Sequence, residues 1–130
     1  MPSTTISLRA RYSETDQMGV INHSRYLDWF SEARIQWLRE RGFSYREWED
    51  QGIVLPVIRL EVEYRQSVRF DDLIDLNVVA TKVTSKKIFF EYQLLRLGES
   101  MAWGRTLHYF MIDGKIRALH QKILDQLLPG

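Results

Sequence analysis

The chain has 130 residues, 45% apolar and 27% charged, with a net charge of +1 and no cysteine. That length suits one compact domain with its own core, and the near-neutral balance argues against a dedicated nucleic-acid binder, which would carry a basic excess. Without cysteine there is no disulfide framework, no thiolate nucleophile and no Cys-type zinc site, which fits a reducing compartment.

The first residues, MPSTTISLRARYSE, lack a basic stretch followed by an apolar one, so no signal peptide is expected. No apolar run approaches the ~20 residues of a membrane span, and the expected compartment is the cytoplasm. A first strand is read in TTISLRARYS, where Ile6, Leu8 and Ala10 alternate with Ser7, Arg9 and Arg11 and Tyr12 continues the apolar face. SRYLDWFSEARIQWLRERG is helical: Tyr26, Phe30, Ala33 and Trp37 recur at spacings of three and four, flanked by Leu27, Arg34 and Leu38. Asn22 or Ser24 can cap its start, and Gly42 suits the position just past its end. A short helix follows in FSYREWEDQG, with Ser44 and Glu47 as a capping box, Phe43 and Trp48 as its hydrophobic staple, and Gly52 as its stop.

The period then changes to two. Ile58, Leu60, Val62 and Tyr64 share one face of a strand that begins after Pro56, a residue tolerated at a strand start or edge. Ile74, Leu76, Val78 and Ala80 repeat the pattern, as do Ile88, Phe90, Tyr92 and Leu94. MAWGRTLHYFMI is apolar on both faces and reads as a central strand buried on two sides. The segments DDL, TSKK and LGES mark turns, Asp113-Gly114 marks a tight one, and ALHQKILDQLL reads as a terminal helix with Ile123, Leu127 and Leu128 on its apolar side. The order is strand, long helix, short helix and about four antiparallel strands. It predicts an α+β layout of two layers, with one long helix across a curved sheet. No repeat, low-complexity tract or linker interrupts it, so a single domain over 1–130 is expected.

At the junction of first strand and long helix stand a carboxylate, Asp16, a glycine, Gly19, and an imidazole, His23. On spacing alone Asp16 reads as a turn or N-cap residue and Gly19 as a loop glycine. The wider pattern is Tyr12, Glu14-Thr15-Asp16, Gly19, Val20-Ile21, His23, Tyr26-Leu27, continued by Glu32-Ala33-Arg34 and later by VEYRQSVRFDDLIDLNVVA. It resembles the hotdog-fold acyl-CoA thioesterases, of the 4-hydroxybenzoyl-CoA thioesterase and Tol-Pal-associated branch, over nearly the whole chain. Glu14 and Asn22 depart from the commonest residues of that family at their positions.

The resemblance implies a hotdog fold, a curved antiparallel sheet wrapped around one long helix, pairing into homodimers or homotetramers with active sites at subunit interfaces. It implies hydrolysis of an acyl-CoA to free acid and coenzyme A, with no cofactor beyond the coenzyme A of the substrate and no metal. Thioester hydrolysis needs an attacking group and stabilisation of the oxyanion. Asp16 would serve as nucleophile or general base, and unpaired amides at the helix start as oxyanion hole. Gly19 would shape the loop. His23 would polarise the carbonyl, orient water or cap the helix, and Tyr12 would position Asp16 or simply pack. Coenzyme A phosphates call for basic residues at the mouth, with Arg65, Arg69, Lys86 and Lys87 as candidates beside Arg59. His108 and His120 have no partners at metal-ligand spacing. Two other readings compete: a non-catalytic acyl-CoA-binding module, and a hotdog hydratase or dehydratase.

Overall fold

The computed structural model describes residues 2–128. Strand β1 (Ser3–Arg9) leads into a single 3-10 turn (Tyr12–Glu14), a loop, and the long helix α1 (His23–Glu40). Helix α2 (Tyr45–Asp50) follows, then β2 (Ile53–Val54), β3 (Val57–Tyr64), β4 (Leu73–Val83), β5 (Lys87–Arg96), β6 (Glu99–Tyr109), β7 (Met111–Ile112), β8 (Lys115–Ile116) and α3 (Gln121–Leu127). The long strands form one antiparallel sheet in the order β1-β4-β5-β6-β3, and the three two-residue strands form a second sheet in the order β2-β7-β8. No helix of the described residues is long and apolar enough to cross a membrane.

The three-and-four spacing of α1 turns one stripe onto the sheet. Tyr26, Phe30, Ala33 and Trp37 are all buried, and Leu38 with them. Phe30 stacks on Tyr92 with ring centroids 4.2 Å apart, and Trp37 meets the edge of Phe90 at 5.2 Å. Each such side chain contributes about 1.5–3 kcal/mol by leaving water. Gly104 of β6 makes the close approach possible, because a Cβ there would lie 2.7 Å from a ring carbon of Phe30. On the facing strands Ile74, Leu76, Val78 and Ala80, and Ile88, Phe90, Tyr92 and Leu94, are buried as their alternation demands. Register shifts between Ala80 and Lys82, Leu94 and Leu95, and Val57 and Arg59 bend the sheet around the helix.

Local signals act as the residue types require. Asn22 rather than Ser24 caps α1, its side chain accepting from the Ser24 amide at 3.0 Å. Ser44 accepts from the Glu47 amide at 3.3 Å, and Phe43 packs on Trp48 at 5.2 Å. Asp113 and Gly114 both take positive φ, 53° and 79°, the geometry of a tight hairpin turn.

Four expectations are corrected. Tyr12 does not extend the apolar face of β1: the chain leaves the sheet after Arg9 and coils into the 3-10 turn, which leaves Tyr12 76% exposed. MAWGRTLHYFMI holds an interior strand, β6 between β5 and β3, but not one strand buried on two sides: from Ala102 on the fully buried residues alternate with partly exposed ones, and Phe110 separates β6 from β7. The alternating segment of β3 does not bury the face its period predicts, since it forms the outer edge of the sheet: Val57, Ile58, Leu60 and Tyr64 are each over 40% exposed, and Val62 alone of that face packs partly against the core. In α3 the buried residues are Leu124 and Leu127, whereas Leu128 follows the helix and is exposed.

Candidate active site

The chain between β1 and α1 is folded into a narrow ladder. Thr15 bridges Ile21, the Asp16 amide donates to the Val20 carbonyl at 2.9 Å, and the Asn22 amide donates to the Glu14 carbonyl at 2.9 Å. The Ile21 amide donates to the Val68 carbonyl at 2.8 Å and Val20 bridges Arg69, so the ladder is also tied to the segment that precedes β4. These bonds place Glu14 across from Asn22, the residue that caps α1, and Asp16 across from Val20, at the turn end of the ladder.

Glu14 locks the ladder to the helix. It is 5% exposed, with one carboxylate oxygen accepting from the Arg11 amide at 2.9 Å and the other from the Trp29 indole at 2.9 Å. A buried carboxylate is tolerated only when its oxygens are so occupied. Nothing in the spacing of Glu14 and Trp29 marks them as partners; a buried acid within an otherwise polar loop becomes evident only once the loop has folded onto the helix.

Asp16 is half-buried at the turn. Its Oδ1 accepts from the Met18 amide at 2.8 Å and its carbonyl accepts from the Gly19 amide at 3.1 Å, an Asx-turn nested in a β-turn. Gly19 has φ +78°, and a Cβ there would meet nothing within 4 Å, so backbone conformation rather than space calls for glycine. Oδ2 of Asp16 accepts from no protein donor, and the carboxylate forms no ion pair, among the described residues.

His23 is the first residue of α1, and its amide donates to no protein acceptor among the described residues. An amide in that position carries the positive end of the helix dipole. The imidazole is exposed and lies 5.4 Å from the Tyr64 ring, whose hydroxyl donates to the His23 carbonyl at 3.4 Å. A cavity of about 230 Å³ opens here, lined by Val20, Ile21, His23, Tyr26, Tyr64, Arg65, Gln66 and Ser67. Burial raises the pKa of Tyr26, with the neighbouring Tyr64 adding and the Val68 backbone opposing; burial likewise raises that of Tyr64. Both rings therefore stay neutral donors at neutral pH. Asp16 does not line the cavity of the single chain; its ladder forms one wall through Val20 and Ile21.

The other candidate residues divide by position. Tyr12 packs its ring edge-on against Phe70 at 5.5 Å and makes no hydrogen bond to Asp16. Arg65 lines the cavity, held by Glu63 at 3.3 Å and Ser100 at 3.0 Å. Arg69 sits beside it through the bridge to Val20. Lys86 and Lys87 lie at the opposite end of the sheet. Lys87 pairs with Tyr109, whereas the cavity end of β6 is marked by Ala102, which pairs with Leu94 and Tyr64. Leu94 is roughly 24 Å along β5 from Lys87. One chain thus assembles Asp16, Gly19, His23, Arg65 and Arg69 in one region and leaves Lys86 and Lys87 apart from it.

The arrangement offers a carboxylate with one oxygen free, a helix-start amide free to receive negative charge, and a neighbouring cavity with two cations beside it. These are the parts of acyl transfer without a thiol or hydroxyl nucleophile. Comparison with known proteins points the same way. The pattern of the thioesterase-like superfamily matches residues 10–127. The acyl-CoA thioesterase YbgC of Haemophilus influenzae is 33% identical over 68% of this chain and 66% of its own. A hypothetical protein from Thermus thermophilus superposes with a TM-score of 0.92 at 29% identity, over 95% of each chain. A DHNA-CoA thioesterase from Staphylococcus aureus superposes with a TM-score of 0.86 at 31% identity, over 99% of this chain and 85% of its own.

Proposed function

The chain belongs to the thioesterase-like superfamily, and from that premise we propose that it hydrolyses acyl-CoA thioesters to a free acid and coenzyme A through Asp16 and the head of α1. The carrying observation is the pairing of a carboxylate whose Oδ2 is unengaged with the unpaired His23 amide, both held by one backbone ladder. As general base, Asp16 takes a proton from water while the oxygen adds to the thioester carbonyl carbon. The carbonyl π electrons move onto oxygen, and the His23 N–H donates a hydrogen bond to the oxyanion so formed. Collapse re-forms the carbonyl and breaks the carbon–sulfur bond, and the leaving thiolate takes up the proton. As nucleophile, an Asp16 oxygen would instead add to the thioester carbon and expel the coenzyme A thiolate, leaving an acyl anhydride that water opens to the free acid and the Asp16 carboxylate, with a water proton passing to the thiolate. Either route depends on the amide, since one oxyanion donor is worth about 3 kcal/mol in such reactions.

Arg65, which lines the cavity, and Arg69, bridged to Val20 beside it, are the cations of this region assigned to the coenzyme A phosphates, and coenzyme A enters as part of the substrate with no separate cofactor. Lys86 and Lys87 would contribute only from another subunit. A homodimer or homotetramer is supported by β3, an edge strand with Val57, Ile58, Leu60 and Tyr64 exposed, because an unpaired apolar edge invites a second strand. Such pairing would also place a partner beside the open cavity at Tyr64. The cysteine-free composition supports a cytoplasmic setting.

The test is Asp16→Asn assayed on a panel of CoA thioesters by release of free thiol. Turnover falls at least 100-fold with an unchanged unfolding midpoint. Hydrolysis at the wild-type rate by the variant would overturn the role of Asp16. Wild-type protein that binds thioesters but releases no thiol from any of them would make the chain a binding module instead.

A further inference from the structure

A second polar feature of α1 lies away from its head. Arg34 donates from Nη1 to the Tyr92 hydroxyl at 3.0 Å and from Nη2 to the Ser31 hydroxyl at 3.0 Å. From Tyr92 a chain of short contacts runs beneath the helix: Tyr92 to Thr106 at 2.7 Å, Thr106 to His108 Nε2 at 2.7 Å, and His108 Nδ1 to the Leu55 carbonyl at 3.1 Å. Tyr92, Thr106 and His108 are at most 2% exposed. The direction of every bond follows from one end. The Leu55 carbonyl only accepts, so Nδ1 carries the proton and Nε2 of the neutral ring accepts from Thr106. Thr106 in turn accepts from Tyr92, and Tyr92 from Arg34.

That network engages one N–H of Arg34 from the core side, and Ser31 engages a second. The guanidinium has five N–H groups and no carboxylate within ion-pair distance among the described residues. It faces a cavity of about 240 Å³ that it lines with Ser31, Ile35, Leu38, Tyr45 and Leu55, and no acid is among them. The Tyr45 hydroxyl accepts from the Leu55 amide at 3.1 Å, so its own proton is free to donate. A half-buried cation, a free hydroxyl donor and three aliphatic walls therefore meet in one small space. Partly desolvated charge favours a counter-ion, and the planar fork of arginine matches the two oxygens of a carboxylate. The volume is below the roughly 300–1,000 Å³ of drug-sized ligand sites.

We propose that this cavity binds a small organic carboxylate, with its oxygens held by Arg34 and the Tyr45 hydroxyl and its apolar body by Ile35, Leu38 and Leu55. Arg34 stands eleven residues beyond His23, about 16 Å along the helix axis, so the site is separate from the Asp16 loop and does not depend on the hydrolytic reading.

The probe is sodium benzoate, with benzamide as its uncharged isostere, titrated calorimetrically into the full chain. Benzoate binds with Kd below about 1 mM, and benzamide at least tenfold more weakly. Arg34→Gln and Ile35→Phe each weaken benzoate at least tenfold, the first by removing the charge and the second by filling the space, while Asp16→Asn binds it as the wild type does. Should Arg34→Gln fail to fold, Ile35→Phe decides, because it leaves the buried network untouched. Absence of benzoate binding, equal binding of benzamide, persistence of binding in Ile35→Phe, or its loss in Asp16→Asn would each overturn the proposal.

Discussion

The buried imidazole of His108 makes a quantitative test of the network beneath α1. Its pKa is lowered to about 4, first by burial and then by the Arg34 charge, with the hydrogen bond to the Leu55 backbone opposing. In the unfolded chain the ring titrates near 6.5. Between these values the unfolded state binds a proton that the folded state refuses, so stability falls as pH drops from about 6.5 to about 4 and levels off below. The span of about 2.5 pH units corresponds to roughly 3 kcal/mol at 1.36 kcal/mol per unit. Carboxylates titrate in part of the same window, so the informative quantity is the difference between wild type and His108→Gln, a side chain able to donate to one partner and accept from the other. Urea unfolding at closely spaced pH values from 7 to 4 measures it. The wild type loses about 3 kcal/mol more than the variant over this range, and the loss begins near pH 6.5 rather than near pH 4.5. Parallel stability curves for the two proteins would refute the neutral-histidine network and the bond directions derived from it.

Two further outcomes follow from packing. Gly104→Ala places a methyl carbon 2.7 Å from Phe30 and 3.3 Å from the Glu61 carbonyl, so it destabilises the fold by about 1–3 kcal/mol, read as a lowered urea midpoint; an unchanged midpoint would show that the α1–β6 approach is looser than the geometry requires. Leu60→Arg puts a charge on the exposed apolar edge of β3 and converts a sedimenting dimer or tetramer to monomer with loss of thioester hydrolysis; a wild-type chain that sediments as a monomer would remove the edge-pairing proposal.

Much of the architecture was legible because it rests on periodicity. The three-and-four stripe of α1 and the two-residue alternation of β4 and β5 each point at a buried face, and the buried residues are those the periods select. The same alternation in β3 was misleading. A strand with period two announces a half-buried face, but whether that face is covered depends on strand order, and order is a long-range property. β3 pairs with β6 alone, at the edge of the sheet, and meets α1 at Tyr64, which packs on His23 and Tyr26. The junction at Asp16, Gly19 and His23 was legible for a related reason: turn residues at a change of period are local signals. Glu14 with Trp29, and Arg34 with Tyr92, Thr106 and His108, were not. Their partners are 15, 58 and more residues apart, and no spacing rule links an acid in a loop to an indole on the following helix. His108 in particular looked like an ordinary strand residue, because a half-apolar imidazole fits the alternation of β6 whether or not it carries a hydrogen-bond chain.

Where catalysis depends on a free amide at a helix start, it depends on keeping that helix still. α1 is fixed at both of its working positions by contacts outside its own backbone. Near its head, Trp29 binds Glu14 and so joins the second turn of the helix to the ladder that carries Asp16. At the next residue, Phe30 stacks on Tyr92 and presses against Gly104, and Tyr92 is itself held by Arg34 and Thr106. The carboxylate and the amide are thus referenced to the same rigid body, the helix against β5 and β6, rather than to a mobile loop. A displacement of the helix along its axis would have to break the Trp29 bond, the Phe30 stack and the Arg34 bond together. Under the proposed mechanism this coupling would keep the Asp16 loop and the helix start in a fixed relation, as transition-state stabilisation requires. The buried acid at Glu14, with its oxygens taken by the Arg11 amide and the Trp29 indole, ties the two halves together.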